Sequence, residues 1–244
     1  MGAIAVTGAS RGIGAAIAAA LAGAGRTVAC LTRAGTVPAT ALEPAAAARL
    51  LPFRCDVTRE VDLRAAFAAV VERTGGLDGL VNNAGIHLDG PSDRFETARW
   101  SEVMTTNATA VFLACREAYP HLVAAGGGLV VNIGSFFDKL GVKRNTAYCA
   151  SKAAVGAITR CLAVEWAGKG IRMVDVAPGY IETDLNRDAL RSGPLADYVA
   201  RRIPGGRPTG ADEVARLVAA LYTADLPFLT GETIYLDGGQ GIAH

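Results

Sequence analysis

The chain has 244 residues, 51% of them apolar and 19% charged, a composition that excludes disorder and allows one globular domain with a large buried core. Lys plus Arg number 24 and Asp plus Glu 23, a formal net charge of +1, so no overall field draws the protein to nucleic acid or to an anionic membrane. Five cysteines without a C-x-x-C pair and only three histidines suggest neither a metal site nor a disulfide framework, and fit a reducing cytoplasm.

In chain order, Ala3 to Val6 is a short apolar strand, with none of the cationic character of a signal peptide before it. A glycine-rich turn follows, and then Ile13, Ile17, Leu21 and Ala24 fall on one helical face. The second strand is Val28 to Leu31. Ala34 to Arg49, interrupted by Pro38 and Pro44, reads as a loop with one short helix. A strand at Phe53 to Cys55 precedes a helix that presents Leu63, Phe67, Val70 and Val71. Four more strands are expected at Leu80 to Val81, Leu129 to Ile133, Met173 to Val176 and Thr233 to Leu236. Continuous apolar strands alternating with helices predict an α/β protein: a single Rossmann-type doubly wound domain over residues 1–244, with a mostly parallel seven-stranded sheet and helices on both faces. The segment 185–205, after the sixth strand, is placed to form a lid over the cleft. The longest near-apolar stretch, Ala15 to Ala24, is half the ~20 residues of a membrane span.

The turn after the first strand contains Gly8, Ser10, Arg11, Gly12, Ile13 and Gly14. Glycines there permit a tight turn and close backbone approach to a pyrophosphate, whose charge a helix N-terminus favours. The next strand ends Leu31-Thr32-Arg33 without an acid. A carboxylate at that point would bind a ribose hydroxyl, but would repel a 2′-phosphate by on the order of 4 kcal/mol at ~4 Å. Arg11 and Arg33 therefore point to NADP(H) over NAD(H).

Ser135 closes a strand, and Tyr148 and Lys152 lie one helical turn apart in the next segment. A phenol exchanges protons poorly near neutral pH unless a cation stabilises its phenolate, and Lys152 is the cation at hand. The blocks Thr7-Gly8-x-x-x-Gly12-x-Gly14, Asp56-Val57, Asn82-Asn83-Ala84-Gly85, Asn107, Ser135, Tyr148-x-x-x-Lys152 and Pro178-Gly179-Tyr180-Ile181-Glu182-Thr183 occur in this order. Through them the sequence resembles the short-chain dehydrogenase/reductase family from Thr7 to Gly239. The branch it looks like includes 3-oxoacyl-carrier-protein reductases, although Ala125 to Gly128 lacks the basic residue that branch often uses for docking its carrier.

The resemblance implies roles. Asp56 and Val57 would hold the adenine, and Asn83, Ala84 and Gly85 the adenosine ribose. Pro178, Gly179, Ile181 and Thr183 would border the nicotinamide. Ser135 would bind the substrate oxygen, Tyr148 protonate it, Lys152 bind ribose hydroxyls and lower the tyrosine pKa, and Asn107 hold a relaying water. A homotetramer is implied in the same way.

Phe136, Phe137, Lys143 and Tyr180 lie in segments expected to border the substrate, and His87 comes just after the Asn-Asn-Ala-Gly turn. The phenylalanines either pack on an apolar substrate or belong to the core. Three functions are compatible with this pattern: an NADP(H)-dependent ketone reductase, whose branch resemblance points to 3-oxoacyl thioesters among other ketones; a secondary alcohol dehydrogenase running oxidatively; and a dinucleotide-sensing regulator. An intact acid/base pair argues against the last.

Overall fold

Apolar runs with no polar alternation leave neither face to water, and β1 (Ala3–Thr7) and β2 (Val28–Thr32) are accordingly buried at every position. The computed structural model describes residues 2–182, 188, 190, 192–224 and 226–243. After β1 come α1 (Gly12–Gly23), β2, α2 (Pro44–Ala47), β3 (Leu50–Arg54), α3 (Glu60–Thr74) and β4 (Leu77–Asn82). Next are α4 (Thr97–Met104), α5 (Ala110–Ala124), β5 (Gly128–Ile133), α6 (Thr146–Trp166) and β6 (Ile171–Pro178). The chain continues through β7 (Ile181–Glu182), α7 (Pro194–Arg202), β8 (Thr209–Gly210), α8 (Ala211–Thr223) and β9 (Glu232–Leu236).

Seven strands form one sheet in the order β3-β2-β1-β4-β5-β6-β9, every neighbouring pair parallel. Strand order reverses between β1 and β4, which opens a crevice at their C-terminal ends. On one face Leu63 and Phe67 of α3, Cys115 of α5, and Val155 and Leu162 of α6 share a core with Leu80 and Val130. On the other, Ile17 and Leu21 of α1 and Val214 and Val218 of α8 pack on Val6, Val81 and Val174. The sheet is thus the doubly wound sheet its apolar pattern predicts. Its third strand begins at Leu50, earlier than the sequence suggests. Pro52 lies within it, which is tolerated because β3 is an edge strand, where a missing N–H need not break the ladder.

Two further features bear on the crevice. Residues Thr105–Thr109 form a π-helical turn between α4 and α5, the wider winding that often marks functional sites. A row of polar side chains also crosses the sheet in register, Asn82 beside Asn132, Asn132 beside Asp175 and Asp175 beside Thr233. Asn82 Nδ2 donates to Asn132 Oδ1 (2.9 Å), and Asn132 Nδ2 to Thr159 Oγ1 of α6 (2.8 Å). Asn132 has no exposed surface, so its hydrogen bonds offset a desolvation cost that would otherwise be uncompensated. Asn132→Ala should lower stability by about 1–3 kcal/mol; urea unfolding of the variant and the parent measures the difference.

Candidate active site

At the crevice, Thr7 and Asn83 bind the ends of β1 and β4 together. Thr7 Oγ1 accepts from Asn83 N (2.9 Å) and Ala84 N (3.0 Å), while Asn83 Nδ2 donates to Thr7 O (3.0 Å) and Gly8 O (3.2 Å). The approach leaves no room for side chains: a Cβ on Gly8 would lie 2.9 Å from Ala84 Cα, and one on Gly14 would run into Asn83 Nδ2 and Gly8 O. Gly8 and Gly12 also take positive φ, 65° and 56°.

The N-terminus of α1 carries no side-chain cap and no acid in its first turn, and a Cβ on Gly12 would meet nothing within 4 Å. Its orphan N–H groups thus face open space, a donor set that fits the pyrophosphate of a dinucleotide. Ile13 is half-buried, and Ser10, Arg11 and Arg33 are exposed beside this end. Asp56 accepts from Thr58 N (3.0 Å) and Thr58 Oγ1 (2.7 Å); those bonds, then Arg33 and Arg59, hold its carboxyl below the usual range. The turn-forming role of Asp56 is therefore visible in the structure, and its charge is near Arg33. Val57 packs against the core.

Four of the residues singled out from sequence converge at the far side of the crevice. Asn107 projects from the π turn, 1% exposed. Its Oδ1 accepts from Ile86 N (2.8 Å), and its Nδ2 donates to Ile86 O (2.8 Å) and Ser151 Oγ (3.1 Å). Both amide hydrogens are committed, so the side chain braces the loop after β4 against α6. It also limits Gly85, where a Cβ would lie 3.3 Å from Asn107 Oδ1. Ser151 Oγ donates to Tyr148 O (2.7 Å), extending that brace to the residue of interest.

Ser135 is buried, and its Oγ accepts from Phe137 N (3.3 Å). Burial pushes the Tyr148 phenol up to about 12, with the Ser135 hydroxyl drawing it partly back. Lys152 is also buried; burial brings its ammonium down to about 8, and Asp175 opposes that fall. Its Nζ donates to Ile133 O (2.8 Å) and stands 5.6 Å from the Tyr148 ring centroid. Burial is thus the leading influence on the phenol, and the Lys152 ammonium, one helical turn along α6, donates to the Ile133 carbonyl.

The residues expected at the substrate form a chain of rings. His87 lies 4.7 Å from Tyr148, Tyr148 5.9 Å from Phe137, Phe137 4.6 Å from Phe136, and Phe136 5.5 Å from Tyr180. Phe136 and Phe137 are both buried, so they belong to the packing, and Phe137 backs the Tyr148 ring. His87 is exposed and its Nε2 pairs with Asn145 Oδ1. Lys143 is exposed, and its carbonyl accepts from Asn145 Nδ2 (2.9 Å). Tyr180 contacts Tyr198 of α7 at 6.2 Å and packs on the small cluster of Leu190, Val199 and Ile203. Pro178 and Ile181 are buried, and Gly179 packs on Asp237, where a Cβ would lie 2.8 Å from Cα. Thr183 and residue 184, together with residues 185–187, 189 and 191 of the expected lid, lie outside the described residues. A cavity at the N-terminal end of α6, lined by Ser92, Phe95, Trp100, Arg144 and Thr146, has a volume of ≈ 260 Å³.

Thr7, Ser151 and Asp175 are working parts to which the sequence alone assigns no role. A lone Asp within Met173-Val174-Asp175-Val176-Ala177 is the available signal for the last, since a carboxylate in a fully buried strand needs a compensating partner.

A family model described as enoyl-(acyl carrier protein) reductase matches residues 8–240. The chain belongs to the short-chain dehydrogenase/reductase family. It is 38% identical over 239 residues to 2-(R)-hydroxypropyl-CoM dehydrogenase of Xanthobacter autotrophicus, covering 96% of each chain. It is 36% identical over 238 residues to the 3-oxoacyl-[acyl-carrier-protein] reductase of Escherichia coli, covering 96% of this chain and 95% of that one. Among solved structures, gluconate 5-dehydrogenase of Burkholderia cenocepacia J2315, in complex with NADP and tartrate, superposes with a TM-score of 0.89 at 32% identity, over 100% of this chain and 96% of that one. This short-chain enzyme is thus an oxidoreductase using a nicotinamide dinucleotide. Among the described residues, no helix is long and apolar enough to cross a membrane.

Gly14→Ala places a methyl group against the Asn83 amide and should weaken nicotinamide nucleotide binding at least ~10-fold, a loss of about 1.4 kcal/mol. Titration of nucleotide fluorescence against the variant measures it.

Proposed function

We propose that this enzyme reduces a ketone to a secondary alcohol with NADPH, using Tyr148 as the proton donor. The observation that carries the proposal is a protonated phenol, Tyr148, packed beside the Ser135 hydroxyl and near the Lys152 ammonium, at the crevice onto which the uncapped end of α1 opens. When bound, the nicotinamide ring supplies the hydride. The remaining work falls to the protein. Ser135 Oγ donates a hydrogen bond to the carbonyl oxygen, stabilising the charge that develops there. Tyr148 Oη transfers its proton to that oxygen, and Lys152 compensates the phenolate left behind. Asn107 holds Ile86 and Ser151, and through them the start of α6, in place.

Burial keeps the Tyr148 phenol in its protonated form, the form that donates to a carbonyl oxygen. Oxidation of a secondary alcohol is the second reading, favoured by the dehydrogenase activity named for the Xanthobacter relative. A pure sensor has no use for the acid/base pair. Substrate would be a small carbonyl compound lying between Tyr148 and Tyr180, with α7 as part of a cover anchored by Tyr180. A 3-oxoacyl thioester is the finer proposal, supported by the reductase relatives. Exposed Phe228 and Tyr235 lie next to and on the edge strand β9 and support self-association as a homotetramer. Buried Cys30, Cys55 and Cys115, their thiols pushed up to about 12 by burial, behave as small apolar residues compatible with a cytoplasmic setting.

Two outcomes are expected. Tyr148→Phe should lower kcat by about 10²- to 10⁴-fold while nucleotide binding persists, as measured by following nicotinamide absorbance and by equilibrium titration. Replacing both Arg11 and Arg33 with Ala should reduce the preference for NADPH over NADH at least ~10-fold, since each arginine contributes a charge-assisted contact to the 2′-phosphate; the ratio of kcat/KM values with the two nucleotides measures it.

A further inference from the structure

Asp175 is the central strand residue whose chemistry the proposed reaction leaves unused. It lies on β6, the strand beside the edge strand β9, and is wholly buried, between Asn132 and Thr233 in register. Its Oδ2 accepts one hydrogen bond, from Thr233 Oγ1 (3.2 Å), and its Oδ1 has no hydrogen-bond partner among the described residues. Neutral donors, Thr233 and the adjacent Gly134 N–H, do not by themselves compensate a buried carboxylate.

The surroundings show where compensation comes from. The carboxylate is packed directly against Gly134, where a Cβ would run into both of its oxygens. Gly134 sits between Ile133, whose carbonyl accepts from Lys152 Nζ (2.8 Å), and Ser135. Above it, a Cβ on Gly156 would lie 3.9 Å from Asp175 Oδ2, and Gly156 is one helical turn beyond Lys152 on the same face of α6. The carboxylate and the ammonium therefore share one dry compartment without a direct hydrogen bond.

We propose that Asp175 is the counter-charge of Lys152, a positioning residue that keeps the ammonium protonated and so sets the alkaline limit of proton donation by Tyr148. The proposal rests on the assignment of Tyr148 and Lys152 as the acid/base pair. Two directions agree with it: burial raises the Asp175 carboxyl to about 6 with Lys152 the leading opposing influence, and burial lowers Lys152 with Asp175 opposing. The other charged neighbours do not replace this pairing. Arg160, on α6, brings Nη1 to 3.3 Å from the same Gly156 Cβ position, but the residue is exposed, so water screens it, and it is not among the leading influences on the Asp175 carboxyl. Asp138, after β5, is a like charge that disfavours ionisation of Asp175. Tyr235, on β9, donates to Asp138 Oδ2 (2.8 Å) and carries Lys139 Nζ 3.5 Å over its ring. Asn132, on β5, is neutral.

Asp175→Asn keeps the shape and an acceptor for Thr233 but removes the charge. Its alkaline limb of kcat/KM against pH should move about one unit lower, a roughly tenfold change in the proton affinity of Lys152. Asp175→Ser carries the same expectation if the first variant does not fold. A carboxyl-carbon NMR titration of the wild-type protein reads the charge without any variant: Asp175 is expected to be ionised above pH 7, and a protonated signal persisting to pH 9 would overturn the proposal. So would a folded D175N protein with the wild-type limb. Lys152→Met separates the two levels: if it retains wild-type turnover, the acid/base assignment fails and the proposal with it; if it is inactive while D175N titrates like wild type, only the role of Asp175 fails.

Discussion

The crevice depends on the clasp between Thr7 and Asn83. A parallel sheet leaves the C-terminal ends of β1 and β4 diverging at the point where strand order reverses, and the polar groups exposed there need partners. One threonine hydroxyl receives two backbone N–H groups, and one asparagine amide spans two carbonyls, so the rim is closed by side chains from both strands. This fixes the turn that leads into α1, and with it the direction in which the helix points its unsatisfied N–H groups. Nucleotide and acid/base chemistry are then neighbours because β5, which leads to Ser135, pairs with β4 beside this rim.

A second economy lies in the polar row across the sheet. Its central residues, Asn132 and Asp175, are buried on the face covered by α6, the helix that also bears Tyr148 and Lys152. Packing α6 by apolar contacts alone would leave its rotation and depth to shape complementarity. The Asn132–Thr159 hydrogen bond and the buried charges add directional terms, which favour one seating of the helix over near alternatives. The position of the acid/base pair relative to Ser135 is thereby tied to the sheet itself.

Much of this is legible in the residues. The seven strands follow from apolar runs at Ala3, Val28, Leu80, Leu129, Met173 and Thr233, with a further strand near Phe53. The glycine turn and the Tyr148–Lys152 spacing locate the site. What the sequence conceals is context. Pro52 hides the start of β3 because edge position is a property of the sheet, not of the strand. The contacts of the Asn107 amide with Ile86 and Ser151 depend on a π turn that no periodicity announces. Phe136 and Phe137 are ambiguous because a loop phenylalanine has no pattern to say which way it faces; the structure turns them inward. One-turn spacing places Tyr148 and Lys152 on a shared face, but it does not register how dry their surroundings are.

The wide turn at Thr105–Thr109 also carries a cost for any redesign. It inserts one residue's worth of winding between two helices that otherwise run on continuously. Because each residue advances an α-helix by about 100°, rewinding this turn as ordinary α-helix without removing a residue would straighten the rod yet swing α5 by that angle relative to α4. Val111, Ala114, Cys115, Ala118 and Leu122, all now facing the sheet, would be carried toward solvent. The irregularity is therefore a phase adjuster: it allows one helix to lock onto the sheet while its predecessor delivers an amide to the crevice.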